Sequence, residues 1–373
     1  MEILVVGAGI AGCTAAALLG WADHRVTLVE HDPAVREGGS PVHVRGGALP
    51  IAERLGIAGL LREAETGVDR AEFVDPRGTV RATARLRTSG DDVEIGRAEL
   101  NRLLLEQVHR VAQVVSGDGP RTLTELPDGI EVGFERGRPE RYDLVVGADG
   151  QHSQVRRLGF GRETAYVTPS GIMIGAVPID PDLVVSPRVV RTSHTPGATT
   201  IIHPAGGHPV GAVIVREEEP DVADDPAHQP SREERMAILE KRIGRRMRPW
   251  HGTDILEAVR RSPDAYLDSI GRVEMASWSR GRVVLLGDAA CGLTLLGDSG
   301  SVAMTGAGRL VDALSRLDRP GDLAQALGYY ERAHRPEVEH HLRGVEKATK
   351  RLLPMTRRAI RRRHRAVRFT RRV

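Results

Sequence analysis

The stretch Gly7-Ala8-Gly9-Ile10-Ala11-Gly12 decides the fold, because of what flanks it. Residues 3–6 ahead of it are a short apolar run rich in β-branched side chains. Residues 13–19 behind it read as a helix, and residues 26–30 are a second apolar run. Strand, glycine turn, helix and strand at this spacing predict a parallel βαβ unit. Within it Gly7 permits the tight turn, Gly9 lets the backbone approach a pyrophosphate, and Gly12 lets helix and strand pack closely. The N–H groups and positive dipole end of the helix then face the phosphates. Glu30 closes the second strand, where a carboxylate accepts ribose hydroxyl protons and repels a 2′-phosphate. A dinucleotide of the FAD or NAD kind is therefore expected, with Gly7, Ala8, Gly9, Ile10, Ala11, Gly12, Glu30 and His31 around it.

Around this unit stand 373 residues, 40% hydrophobic and 28% charged, the composition of a globular protein of roughly two folding units. Disorder, collagen-like repetition and a disulfide scaffold are excluded. Cys13 and Cys291 are the two cysteines, which suits a reducing compartment. No apolar run approaches the roughly 20 residues of a membrane span. Residues 1–2 carry no basic leader of the secretory type, so the expected location is the cytoplasm. The near-neutral total of +3 hides an asymmetry, since residues 350–373 hold eleven basic residues and no acidic one, leaving 42 basic against 50 acidic before them. Such a tail binds nucleic acid or anionic lipid in some proteins. More often it is a solvated face or docks on the chain's own surface, and no nucleic-acid partner or integral membrane association is expected.

Further along, residues 48–61 and 97–115 show helical spacing of apolar residues, 121–134 alternate as a hairpin, and 143–146 form a short buried strand. Several strand-like runs between 168 and 217 predict an antiparallel sheet, 217–232 a loop, 233–247 a helix and 282–286 another buried strand. The expected fold is α/β: a discontinuous Rossmann-like FAD-binding domain (1–165 and 268–320), a substrate-binding β-sheet domain (166–267), and C-terminal helices with the basic tail (321–373).

Two further fingerprints close buried strands. Asp143-Leu144-Val145-Val146-Gly147-Ala148-Asp149-Gly150 leads into Ser153 and Arg156, and Gly281-Arg282-Val283-Val284-Leu285-Leu286-Gly287-Asp288-Ala289-Ala290 leads into Gly297, Gly300 and a helix. With all three in order, the sequence resembles the class A, para-hydroxybenzoate hydroxylase-type FAD-dependent aromatic monooxygenases over about residues 1 to 345. The resemblance implies FAD as cofactor, NADPH or NADH as transient reductant, and hydroxylation or epoxidation by a flavin C4a-hydroperoxide. Its substrate would be an aromatic or polyketide-like small molecule, its role natural-product tailoring, and its oligomeric state monomer or homodimer. Position by position, Arg45 and Arg97 match arginines near the pyrophosphate and ribityl chain, and Arg36 reaches toward the adenine. Asp288 matches the aspartate that accepts from ribityl hydroxyls, and the Gly300 and Ser301 N–H groups face the flavin pyrimidine. Asp149 belongs to the motif serving FAD and NADPH, or else simply caps a helix.

The middle sheet is placed over the flavin, with Met173, Ile201, His203, Ile214 and Leu295 as pocket residues and His194 nearby. His203 is the candidate to orient or deprotonate a phenol or enol, against a plain packing role. Cys291 and Leu295 stand where many relatives carry His and Pro. The Leu295 departure leaves open an FAD-binding non-redox cyclase of the same fold, and the basic tail leaves open a flavin-dependent reductase of isoprenoid lipids working at the membrane surface. Only 12 residues are Phe, Trp or Tyr, so the expected pocket walls are aliphatic.

Overall fold

The computed structural model describes residues 1–33, 39–86, 91–216, 230–243, 249–292, 299–317 and 322–369. Arg36, Leu295, Gly297, residues 217–229 of the loop expected at 217–232 and residues 244–247 of the helix expected at 233–247 lie outside the described residues. The βαβ unit is present as β1 (Glu2–Val6), α1 (Ile10–Trp21) and β2 (Arg25–Glu30), with β1 and β2 parallel. They belong to a six-stranded sheet in the order β17 (Ser279–Arg280), β18 (Val283–Leu285), β11 (Leu144–Gly147), β1, β2, β7 (Gln113–Ser116). All neighbours in it run parallel except β17 and β18. β1, β11 and β18 are apolar on both faces because α1, α4 (Arg97–Val111), α5 (Gln154–Phe160) and α8 (Ser299–Leu314) lie against this half of the chain, and their residues form one continuous core.

A seven-stranded sheet makes the second layer: β16 (Tyr266–Val273), β12 (Val167–Pro178), β15 (Val210–Arg216), β14 (Ala198–His203), β13 (Val189–Thr195), β4 (Arg70–Val74), β5 (Val80–Arg85). Only the β13–β4 pair is parallel. Residues 70–85, which come from inside the span expected to bind the dinucleotide, thus lend two strands to the other sheet. The run at 97–115 divides into α4 and β7, which pairs with β2, so its last residues extend the parallel sheet. Residues 48–61 also divide, into α2 (Ala48–Arg54) and α3 (Ala58–Glu63), at Gly56 with its φ of 70°. Smaller pieces are the β8 (Pro120–Leu126), β9 (Gly129–Phe134), β10 (Glu140–Tyr142) meander and the β3 (Val42–Arg45), β6 (Asp92–Ile95) ribbon.

Alternation in the seven-stranded sheet decides what each residue faces. Met173, Val177, Ala198, Ile202, Val213 and Val215 pack under α6 (Arg232–Ile243) and α7 (Gly252–Arg261) with Leu239, Ile255 and Val259. Ile172, Ile174, Ile201, Ile214 and Ile270 form the opposite face, partly covered by Leu352 and Leu353 at the end of α9 (Leu323–Leu352). The basic tail forms α10 (Arg357–Phe369), whose Val367 packs on Ala71, Phe73, Ala82 and Val190 of that same face. The tail therefore docks on the protein itself, on an apolar and aromatic patch and not on an acidic one. Among the described residues no helix is long and apolar enough to cross a membrane.

Candidate functional site

The three fingerprints meet at the carboxyl ends of β1, β11 and β18, where doubly wound sheets bind their ligands. Gly7 has a φ of 102°, and a Cβ on it would sit 2.6 Å from the Ala148 carbonyl oxygen. Gly287, with φ of 62°, lies against α1, where an added Cβ would come 2.8 Å from Ala11 Cβ. A Cβ on Gly12 would fall 1.8 Å from the Gly7 oxygen. Only glycine allows this close stacking of the first turn, the helix and the other two loops.

Gly9 differs from these. It caps α1 in ordinary extended geometry, and a Cβ built on it meets nothing within 4 Å. No side chain caps this helix and its first turn holds no acidic residue, so its leading N–H groups face open space. An uncapped helix start beside an empty glycine position has the shape and polarity for a pyrophosphate. Glu30, half-buried at the end of β2, accepts hydrogen bonds from Ala8 N–H at 2.7 Å and Asp32 N–H at 3.0 Å. Carboxylate oxygens carry two lone pairs each, which leaves acceptor capacity for a ribose. His31 lies exposed beyond it, 3.6 Å from Glu135 Oε2. The residues present fit the adenosine end of a dinucleotide.

Toward the other end, Asp288 stands half-buried in the turn Gly287–Ala289. Gly300 begins α8 with its Cα facing Ile10 and Val42. The Ser301 hydroxyl donates to the His43 carbonyl at 2.7 Å and accepts from Arg45 N–H at 3.0 Å, pinning β3 to the start of α8. The Arg45 guanidinium lies 3.7 Å from Asp92, and the Arg97 side chain runs against Gly39. Asp149 is half-buried and serves α5: it accepts from the Ser153 hydroxyl and from the N–H groups of Gln154 and Val155 at 2.7 and 3.0 Å. Burial pushes its carboxyl upward against the lowering effect of the Ser153 bond. The helix-capping alternative for Asp149 describes its observed contacts.

Two residues hold the loops together: Arg156, which stands at the end of the second fingerprint without an expected role, and Asn101, which the sequence does not single out. Fully buried Arg156 donates to the Ala289 carbonyl at 2.9 Å and to the Gln151 carbonyl, tying the second fingerprint to the third. Buried Asn101, on the inner face of α4, donates to the Ala8 carbonyl at 3.0 Å. The legible signal for Asn101 was an amide between Leu100 and Leu104 on an otherwise apolar stripe.

Of the expected pocket residues, Ile201 and Ile214 share one face of the sheet with His203. Met173 does not: it is fully buried against α6 and α7, one residue out of phase with Ile172 and Ile174. His203 Nδ1 accepts from Ala205 N–H at 3.0 Å, and Nε2 lies 3.2 Å from Glu94 Oε2. With Nδ1 committed, the ring keeps its proton on Nε2 and has no lone pair to deprotonate a substrate hydroxyl. Burial raises the Glu94 carboxyl, yet the hydrogen bonds from His203 and Thr66 outweigh that and hold it low. Cys291 is buried, and burial, then Asp288, push its thiol far above the usual range, the behaviour of a small apolar filler.

Residues 1–336 match the family described as FAD binding domain. The chain belongs to that family. It is 33% identical over 313 residues to an uncharacterized protein of Mycobacterium tuberculosis (strain ATCC 25618 / H37Rv), covering 82% of each chain. It is 28% identical to a flavin-dependent monooxygenase of Legionella longbeachae serogroup 1 (strain NSW150), over 89% of this chain and 83% of that one. Among solved structures, tetracycline destructase Tet(51) superposes with a TM-score of 0.84 at 26% identity, over 99% of this chain and 95% of the other.

Proposed function

We infer that this member of the FAD-binding family is an NAD(P)H-using monooxygenase acting on a hydrophobic aromatic or polyketide-like small molecule. One observation carries the reading: three nucleotide fingerprints converge, and the loops after the second and third border the sheet that carries an apolar face of Ile172, Ile174, Ile201, Ala212 and Ile214, since Gln151 donates to the Ser269 carbonyl at 2.8 Å and a Cβ on Gly292 would lie 3.2 Å from the Gly271 carbonyl oxygen. The flavin-dependent monooxygenase of Legionella longbeachae and tetracycline destructase Tet(51) support it. On this reading the α1 N–H groups beside Gly9 hold the pyrophosphate, Glu30 the adenosine ribose, Asp288 the ribityl hydroxyls, and the Gly300 N–H the pyrimidine edge. Bound FAD supplies hydride acceptance and oxygen activation.

The chain's own residues bind, orient and exclude water. The isoleucine face takes the substrate's apolar body, and Leu352 and Leu353 close that face from the side. His203, with Nδ1 taken by Ala205 N–H and Nε2 turned to Glu94 Oε2, holds the Glu94 carboxylate beside that face and leaves no ring proton for a substrate oxygen. The functional division we propose keeps 1–165 and 268–320 for FAD, apart from residues 70–85, which join 166–267 in the substrate sheet. Its further partners are O2 and NAD(P)H, its location the cytoplasm, and its state monomer or homodimer.

The test is a visible spectrum of the purified protein followed by NADPH and O2 consumption across phenols and polyketides. Bound flavin with substrate-stimulated, stoichiometric NADPH and O2 use is expected. Turnover that continues without O2 or reductant refutes the reading.

A further inference from the structure

The far end of the isoleucine face, under α10, holds a cluster that the proposed function does not use. Phe73 of β4, His194 of β13 and His364 of α10 lie with ring centroids 6.0, 6.1 and 6.5 Å apart, and the Arg363 guanidinium sits 4.8 Å over the Phe73 ring. His194 is 4% exposed. The Thr199 hydroxyl donates to the Leu352 carbonyl at 2.7 Å, so it accepts from His194 Nδ1–H at 2.9 Å. This fixes the tautomer and leaves a bare lone pair on His194 Nε2, which is buried without a hydrogen-bond partner. Arg363 Nη1 is likewise buried without one.

No carboxylate among the described residues forms an ion pair with Arg363. Burial and the neighbouring Arg351 cation lower its pKa to about 10. Burial, then the charges of Arg363 and His364, push the His194 imidazole well below its usual range, so it stays neutral and an acceptor. A largely buried guanidinium without a counter-ion is costly. What completes such a site is an oxyanion on the guanidinium and a hydroxyl on the imidazole.

We propose that the polar junction between β4, β13 and α10, with its two buried and unpartnered nitrogens, binds an acidic head group of the substrate, an oxyanion such as a carboxylate or enolate against Arg363 with an adjacent hydroxyl donating to His194 Nε2. The inference rests on the monooxygenase reading for the word substrate, and adds that the substrate is an anion with a vicinal hydroxyl.

The test uses the full-length, FAD-loaded protein and titration calorimetry with salicylate, benzoate and salicyl alcohol. Salicylate offers both groups, benzoate only the anion, and salicyl alcohol no charge. The wild type is expected to bind salicylate best. Arg363→Gln lowers salicylate affinity roughly ten- to a hundredfold and abolishes its advantage over the alcohol, while Arg363→Lys keeps part of it. His194→Asn retains a donor to Thr199 but removes the Nε2 lone pair, so it erases the salicylate advantage over benzoate alone. Absence of salicylate binding, equal binding of the three probes, or wild-type affinity in Arg363→Gln overturns the proposal; ordered water satisfying both nitrogens predicts that result. Flavin reduction by NADPH is followed in the same samples. Normal reduction without anion preference sinks this site alone, and anion preference without NADPH oxidation sinks the monooxygenase reading alone.

Discussion

Gly9→Ala and Gly12→Ala add the same methyl group three residues apart, and the structure gives them different consequences. At Gly9 the backbone has φ −78° and ψ −177°, which alanine adopts freely, and the new Cβ meets nothing within 4 Å. Stability without FAD should change by no more than about 1 kcal/mol. The methyl does occupy the approach to the α1 N–H groups. Losing about two charge-assisted hydrogen bonds at roughly 1.5–3 kcal/mol each weakens FAD binding by about a hundredfold or more. At Gly12 the Cβ would lie 1.8 Å from the Gly7 oxygen, where ordinary contact begins at 3.4 Å. Helix α1 must retreat from β1, an overpacking cost of about 1–3 kcal/mol that is present with or without cofactor. The assay is thermal unfolding of each flavin-free protein, then FAD titration by flavin fluorescence. Wild type at a hundredfold excess over Kd should gain about 2.7 kcal/mol, and Gly9→Ala very little. Wild-type FAD affinity in Gly9→Ala, or a flavin-free Gly12→Ala as stable as Gly9→Ala, refutes the reasoning.

Other outcomes follow from contacts already described. Asp288→Ala should yield FAD-poor protein of near-normal fold, read from the flavin-to-protein absorbance ratio. Met173→Ala should cost about 2–5 kcal/mol of stability in urea unfolding with KM unchanged, whereas Ile201→Ala should raise KM with little loss of stability; the reverse pattern would place Met173 at the pocket. His152 donates between Asp268 at 3.1 Å and Glu163 at 2.7 Å, and these hydrogen bonds, Asp268 first, raise its pKa to about 9. Because the folded value lies above the unfolded one, its contribution is full below about pH 6.5 and fades as pH rises through 9. The Tm gap between wild type and His152→Gln should therefore be wide at pH 6 and close by about pH 10.

Glycine spacing made the nucleotide half readable because each fingerprint sets its strand, turn and helix within a few residues, as Gly12 does against Gly7, even though Gly7 with Ala148 and Gly287 with Ala11 are long-range contacts. The strands at 70–85 were not readable, since Phe73 and Ala71 pair with β13, more than a hundred residues later. β7 was hidden because its apolar residues continue the helical spacing of α4. Strand β12 gave no clue to its facing, with Ile172, Met173 and Ile174 all apolar and both sheet faces covered; its phase is set after an irregularity between Pro169 and Ile172. The role of Asp149 lay in a choice between cap and ligand that only the Ser153, Gln154 and Val155 contacts could display.

The tail's position has a consequence for the order of synthesis. Phe73 leaves the ribosome early, its strand partner β13 follows, and the residues that cover both, Arg363 and Val367, come far later. One flank of the seven-stranded sheet thus stays uncovered until α10 has been made, a contact of very long sequence separation and a stretch open to wrong association in the meantime.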